Sequence, residues 1–375
     1  MRIALVVPGG VSRDGEYRVI PVLLWLIERL AHRHDVHVVT FRQEAVPASW
    51  PLLGATVHNV GRRPRSVRAL RILLHLHRSK PFDVFHSIWA GGPGLAAFAA
   101  ARLCRKPVLV HVAGGELVWM PELEFGAARR AWWRALTRMV LRGADVVTAA
   151  STSMVALARA AGAAPRRVTL GVDTDQWTPS PPRARPLDRP ARLVQVASLT
   201  PVKDQTTLLR GLARLVADGR SVHLNLVGED AYQGAMQREA AELGVTPHVS
   251  FDGFLPQRKV IPVVRAADLM VVSSRHEAGP VALLEAAAVG VPTVGTAVGH
   301  VRDFAPDAAV AVPIGDPVAL AREVGRLLDD EPRRLALAAQ AQHRALSEDA
   351  DWTCARFEEL YRDVTSRRPA RGILR

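Results

Sequence analysis

Cysteine is almost missing from this chain: Cys104 and Cys354 are the only two among 375 residues. They stand far apart and without metal-ligand spacing, so neither a disulfide framework nor a zinc site is indicated. Long apolar runs are missing too. No stretch reaches the roughly 18 uninterrupted apolar residues of a membrane-spanning helix. The opening MRIALVVPGG has neither the longer apolar core nor the small-residue cleavage site of a signal peptide. It reads as a first buried strand, and a cytoplasmic location is expected. Lysine supplies only four of the 49 basic residues. No G-x-G-x-x-G fingerprint accompanies the first strand, which counts against a nicotinamide enzyme.

What is present is the balance of a folded protein, with 49% hydrophobic and 23% charged residues. The length exceeds one ordinary domain of roughly 100 to 200 residues, so two domains are predicted. The formal charge of +13 is unevenly spread. Residues 1–175 hold 24 Lys or Arg against 12 Asp or Glu, whereas residues 176–375 hold 25 against 24. The preference for Arg fits a coding bias, but that bias does not explain the asymmetry. Seven basic residues and no acid lie between Arg62 and Lys80, the footprint a nucleic-acid or anionic-surface binder would have. No recognised nucleic-acid module accompanies them, and no nucleic-acid partner is expected.

Short apolar or β-branched runs alternate with helical stretches: 3–7, 35–40, 84–86, 108–112 and 146–149 in the first half. After a segment with five prolines, the pattern restarts at 192–197, 223–227, 248–251, 269–273 and 293–295. This alternation predicts α/β architecture with two doubly wound parallel sheets. The boundaries read as a first domain over 1–177, a linker over 178–190 and a second domain over 191–350. A C-terminal helix and tail over 351–375 is expected to pack back on the first domain. Ligands of such sheets bind beyond the carboxyl ends of strands, so functional residues are sought there.

The densest pattern is Ser273-Ser274-Arg275-His276-Glu277-Ala278-Gly279-Pro280-Val281, followed by Glu285 and closed by Gly290-Val291-Pro292. It reads as strand, loop, helix and stop. Pro280 suits a first helical position because it lacks the N–H that would be orphaned there, and Gly290 suits the exit. The helix start offers free N–H groups and positive dipole to a diphosphate. Glu285 is placed to reach ribose hydroxyls, and Glu277 to accept hydrogen bonds from hydroxyls of a sugar. Directly after the first strand of the second half comes Ser198-Leu199-Thr200-Pro201-Val202-Lys203. A flexible ammonium there would neutralise charge on a leaving phosphate. Gly9 and Gly10 after the first strand would let backbone approach a ligand closely.

In these motifs the chain resembles glycosyltransferase family 4, retaining enzymes of the GT-B fold in which two Rossmann-like domains face a central cleft. The likeness runs nearly end to end. Glu277 and Glu285 match the family's pair of glutamates separated by seven residues, Lys203 its phosphate lysine, and Gly9-Gly10 its N-terminal glycine loop. Gly171-Val172-Asp173-Thr174-Asp175 resembles its segment before the linker. The resemblance implies a metal-independent transferase with no cofactor and a nucleoside-diphosphate sugar as donor substrate. Glu277 would lie by the sugar, Glu285 by the ribose and Lys203 by the diphosphate. Transfer would proceed by same-face attack assisted by the leaving phosphate. Ser198 stands where the family has an arginine, and Arg275 or His276 is the candidate replacement. On the acceptor side, Gly114, Gly115 and Glu116 resemble the family's His-Gly turn, with Ala113 in the place of the histidine and His111 read as a strand residue. Other GT-B activities, epimerase or phosphorylase, remain as alternatives.

The acceptor is unidentified and expected to be a glycan or a lipid-linked molecule. Residues 62–80 mix Arg with Leu at helical intervals, and 126–143 carry five Arg and no acid around Trp132 and Trp133. Such helices suit reversible contact with an anionic membrane. The same pattern is expected of two ordinary surface helices that turn Leu73, Leu74, Trp132 and Trp133 to the core.

Overall fold

A computed structural model describes residues 1–62 and 64–366. The chain divides into two compact units, one from Met1–Leu170 with the C-terminal helix Ala350–Ser366, the other Gly171–Asp349.

The first unit is built on β1 (Arg2–Val7), β2 (Asp35–Thr40), β3 (Ala48–Leu52), β4 (Ala55–Asn59), β5 (Val84–Ile88), β6 (Val108–Val112), β7 (Val146–Ala149) and β8 (Arg166–Arg167). Their order in the sheet is β3-β4-β2-β1-β5-β6-β7-β8. Only β3 runs antiparallel to its neighbour. Strands β1, β5 and β6 are buried along their whole length, as parallel strands covered on both faces must be. That is why they read as continuous apolar runs instead of alternating ones.

The second unit holds β9 (Ala191–Val196), β10 (Val222–Val227), β11 (Val249–Gly253), β12 (Leu269–Val272), β13 (Thr293–Thr296) and β14 (Val310–Val312). They form an all-parallel sheet in the order β11-β10-β9-β12-β13-β14. The winding reverses between β9 and β12. Two doubly wound sheets are therefore present, each within its own unit. The proline-rich stretch 178–190 belongs to the second unit and lies along it. Arg183 donates to the carbonyls of Arg265 and Ala267, and Arg189 forms a two-pronged pair with buried Asp268 at 2.8 and 3.0 Å. The chain leaves the first unit earlier, at Leu170–Gly171. Proline content marked a segment without regular structure, but side-chain contacts decide which body owns it.

The helix Ala350–Ser366 completes the first unit. Its Phe357 and Tyr361 are fully buried. The Tyr361 hydroxyl lies 2.6 Å from His86 Nδ1, and the Phe357 ring packs on His86 and His111. His111 is thus a core residue of β6, its Nδ1 2.9 Å from Thr148 Oγ1.

Burial makes these imidazoles hard to charge. It lowers His111 to about 3 and His86 well below its ordinary value, the latter with a further push from His111. His58 falls to about 4 through burial and the charges of His37 and Arg2. An unfolded histidine titrates near 6.5. Between these values the unfolded chain binds protons that the folded one does not, so stability rises with pH and is lost as pH falls below about 6.5. The unfolding free energy of the first unit, measured in urea, is expected to drop between pH 6.5 and pH 4 by on the order of 1 to 3 kcal/mol for each such histidine. A midpoint that stays level across that window would contradict neutral, buried histidines.

Candidate functional site

Strands β9 and β12 are the pair from which the second sheet winds outward in opposite directions, and a crevice forms beyond the carboxyl ends of such a pair. The loops that leave these two strands carry Lys203 and Glu277. Lys203 ends a single 3-10 turn, Pro201–Lys203. The next residue, Asp204, adopts a left-handed conformation with φ 51° and caps the helix Gln205–Ala217, accepting from the Thr207 N–H at 3.2 Å. The two loops are tied together by Ser273, whose hydroxyl donates to the Lys203 carbonyl at 2.8 Å and accepts from Gln195 at the same distance.

At the centre, Lys203 Nζ donates to Glu277 Oε1 at 2.5 Å, and Ser274 Oγ donates to the same oxygen at 2.7 Å. The Lys203 side chain keeps 26% of its surface and Glu277 12%. The ammonium is therefore open to a ligand on one side, and its remaining protons can be shared with an anion. Glu277 Oε2 takes no part in these contacts, which suits it to a hydroxyl donor.

Glu277 lies in a loop and Glu285 in the helix Val281–Ala288, which has no side-chain cap; Pro280 is its N-cap, in extended backbone, one position before the first helical residue expected of it. The first N–H groups of that helix are offered to an anion. Gly279 is required before it, because a Cβ there would meet the buried His300 ring 2.4 Å away. Gly299, φ +44°, opens the helix Gly299–Phe304 after β13 and packs under Glu277 and Pro280. Gly290 leaves the helix at φ +75°.

Glu285 is buried, and Gln257 Nε2 donates to its Oε1 at 2.6 Å. Burial pushes its carboxyl up to about 8, opposed by Gln257 and by the Trp177 indole that faces it. Near neutral pH it is mostly protonated and can donate as well as accept hydrogen bonds.

Arg275 reaches the Lys203 turn, its Nη1 3.5 Å from Asp204 Oδ2, while its own N–H donates to the Val202 carbonyl. His276 is half-buried and Ala278 buried in the same loop. Ser198 is exposed just past β9, and its carbonyl accepts from Gln205. Gly228 crosses there so closely that a Cβ would sit 2.0 Å from the Ala197 carbonyl oxygen. Gly9, Gly10, Gly114, Gly115 and Glu116 belong to the other unit. Gly10, at φ +81°, and Val11 both donate their N–H to Gln43 Oε1. Sequence reasoning gave no role to Gln257, Trp177, Asp204 and His300. Two of them stood beside its motifs: Trp177 lies two residues past the Gly171–Asp175 segment, and Asp204 directly follows Lys203.

Residues 181–344 match the family model described as glycosyl transferases group 1, and residues 19–171 that of a glycosyl transferase 4-like domain. The chain is 32% identical over 309 residues to the GDP-mannose-dependent alpha-(1-6)-phosphatidylinositol monomannoside mannosyltransferase of Mycolicibacterium smegmatis, covering 76% of this chain and 78% of that one. It is 32% identical over 224 residues to the D-inositol 3-phosphate glycosyltransferase of Thermobispora bispora, spanning 55% of this chain and about half, 52%, of that relative. Among solved structures, Anabaena HepE in complex with UDP and glucose superposes with a TM-score of 0.76 at 16% identity, over 97% of this chain and 100% of that one.

Proposed function

We propose, for a chain that belongs to glycosyltransferase family 4 and has its GT-B fold, that it transfers a sugar from a nucleoside-diphosphate sugar to a hydroxyl acceptor with retention of anomeric configuration and without a divalent metal. The observation that carries the reading is the Lys203–Glu277 pair set at the uncapped start of the helix Val281–Ala288. Lys203 and the helix N–H groups stabilise the departing diphosphate. Arg275 adds charge near the place where Ser198 supplies none. Glu277 accepts from hydroxyls of the transferred sugar, and Glu285 holds the ribose. The acceptor oxygen bonds to the anomeric carbon on the face the phosphate leaves. The acceptor proton passes to the leaving phosphate oxygen, so no protein nucleophile is needed. HepE with UDP and glucose, and the mannosyltransferase whose donor is GDP-mannose, support a nucleotide-sugar donor.

The test is a panel of nucleotide sugars with mixed glycan and lipid acceptors, read by nucleoside diphosphate release and by the anomeric configuration of the product. One nucleotide sugar is expected to give a product of the donor's own configuration, at a rate unchanged by EDTA. Inversion would overturn the retaining step. Loss in EDTA restored by magnesium or manganese would overturn metal independence. An epimerised free sugar, or sugar phosphate formed from inorganic phosphate, would indicate the alternative GT-B activities.

The name of the mannosyltransferase includes a phosphatidylinositol acceptor, and a membrane-proximal or lipid-linked acceptor is part of the proposal. No helix among the described residues is long and apolar enough to cross a membrane. In the helix Arg65–Ser79, Leu73 is core and Leu74 half-buried, as an ordinary surface helix requires. The helix Ala131–Gly143 differs: Trp132 is 54% and Met139 45% exposed, and Arg134, Arg138 and Arg142 of the same helix are exposed as well. Trp beside Arg suits the headgroup boundary, where each basic charge gains about 1 kcal/mol from anionic lipid. Cosedimentation with anionic vesicles is expected, weaker at high salt and weaker for Trp132→Ala. Equal binding to neutral vesicles, or none at low salt, would remove this contact.

A further inference from the structure

The helix Val281–Ala288 buries every residue from Leu283 to Ala288, and Glu285 is the one acid in that run. A carboxyl in such a place is costly unless its hydrogen bonds are made. No basic side chain pairs with it among the described residues; burial and two neutral donors, Gln257 and Trp177, are what act on it. Both donors come from outside its own helix.

Gln257 opens the helix Gln257–Ala266, whose buried positions are Val260 and Val264. The three residues stand at i, i+3 and i+7, so they share one stripe of that helix. An amide on an apolar stripe needs a partner, because a buried donor left unsatisfied costs more than a satisfied one gains. Gln257 Nε2 finds that partner in Glu285 Oε1 at 2.6 Å. The contact occupies one carboxyl oxygen and leaves the other for a hydroxyl.

Trp177 is fully buried, and its Nε1 makes no hydrogen bond of good geometry. The indole nevertheless faces Glu285 and, with Gln257, opposes the effect of burial on its carboxyl. A buried indole N–H ordinarily has a partner, and this carboxyl is the acceptor it faces. The backbone around the ring is fixed by a turn. The Trp177 N–H donates to the Asp173 carbonyl at 2.9 Å, and the Asp175 N–H to Asp173 Oδ1 at 3.2 Å. A ring so enclosed cannot swing away without opening the packed interior.

We infer that Gln257 and Trp177 are positioning residues for Glu285, holding its side chain in the rotamer that turns the remaining oxygen to the donor ribose, and that they thereby set the preference of the site for a ribonucleotide over its deoxy analogue. The inference rests on the transferase reading, in which Glu285 holds the ribose. A glutamate side chain is flexible, and ordering it when the ligand arrives would consume part of the binding energy. Held in place beforehand, the carboxyl favours a ligand that brings a hydroxyl, and a ligand without one leaves a buried polar group unpaired. Neither positioning residue needs to touch the donor for this.

Calorimetry on the full chain tests this with UDP and GDP, each beside its 2′-deoxy and 3′-deoxy analogues. The wild-type chain is expected to bind a ribonucleotide roughly tenfold more tightly than at least one of its deoxy analogues, the equivalent of about one lost hydrogen bond. Gln257→Leu should reduce that ratio to roughly threefold or less, by weakening the ribonucleotide while the deoxy analogue keeps its affinity. Trp177→Phe, which retains a ring and removes the N–H, should lower the ratio in the same direction. The two changes together should abolish it. Retained binding of the deoxy analogue reports that each variant is folded. A ratio left unchanged by either single variant would overturn the role of that residue. A loss shared equally by ribonucleotide and deoxy analogue would overturn the inference, since that is what a purely structural role produces. Equal binding of the two by the wild-type chain would overturn the ribose role of Glu285 and the inference with it. A wild-type chain that bound neither UDP nor GDP would overturn the transferase reading itself.

Discussion

Lys203→Ala is expected to cut transfer at low donor concentration by roughly 10- to 150-fold, the equivalent of about 1.5 to 3 kcal/mol for a lost charge-assisted contact. The loss has two parts. The cation that faces the diphosphate disappears, and Glu277 keeps only the Ser274 hydroxyl of its two recorded donors. Its carboxylate then confronts the donor phosphates without a neutralising partner. Lys203→Arg should retain part of the activity, because charge is kept although geometry is not. Glu285 provides the companion measurement. Since its carboxyl is raised to about 8 by burial, Glu285→Gln preserves a neutral hydrogen-bonding group below that pH and should be milder than Glu285→Ala. The steady-state parameters of the four variants, measured from pH 6 to 9, check both statements. Near-normal transfer by Lys203→Ala and Glu285→Ala together would remove the assignment of this site.

Phe357→Ala is expected to cost the first unit about 3 to 5 kcal/mol, the usual range for emptying a buried aromatic site. The ring is fully buried against His86 and His111 on two neighbouring strands, with Tyr361 one turn further along the helix Ala350–Ser366. The void cannot fill easily, because β5 and β6 are held rigid in the sheet. Urea unfolding followed by circular dichroism should show the midpoint of the first unit falling. Nucleotide added to the same protein should still raise the transition of the second unit, since ligand that binds only the folded form stabilises it. An unchanged first midpoint would mean that the C-terminal helix is not part of that core.

How far the sequence could be read depends on how local each feature is. Ten strands were visible as short apolar runs. The others, β3, β4, β8 and β14, were not: β3 is an edge strand containing Pro51, β8 has two residues and β14 three. Too few side chains are buried in these three for a period to show; β4 does alternate in burial, but its buried positions are Ala55, Val57 and Asn59, which do not read as an apolar run. The segment 273–292 was readable as strand, loop, helix and stop, because a proline at the helix entry and a glycine at its exit act on near neighbours. The membrane question was open in sequence for a physical reason: an amphipathic helix looks the same whether its apolar stripe meets a core or a lipid. Exposure distinguishes Trp132 from Leu73, and exposure belongs to the packed molecule.

By itself, then, the sequence determined the alternation of strands and helices, the two-part division, the positions of Lys203 and Glu277 in loops beyond strand ends and of Glu285 in the helix that follows, and the charge asymmetry. Each follows from residue chemistry within a few positions or from composition. Tertiary structure alone decided that Lys203 and Glu277, 74 positions apart, share a hydrogen bond, and that Gln257 reaches Glu285 across 28. It also gave the proline-rich stretch to the second unit, and turned the Trp177 indole to Glu285. Hydrogen bonding and burial at such separations depend on how sheets and helices pack, and no periodicity along the chain encodes which distant side chains will meet.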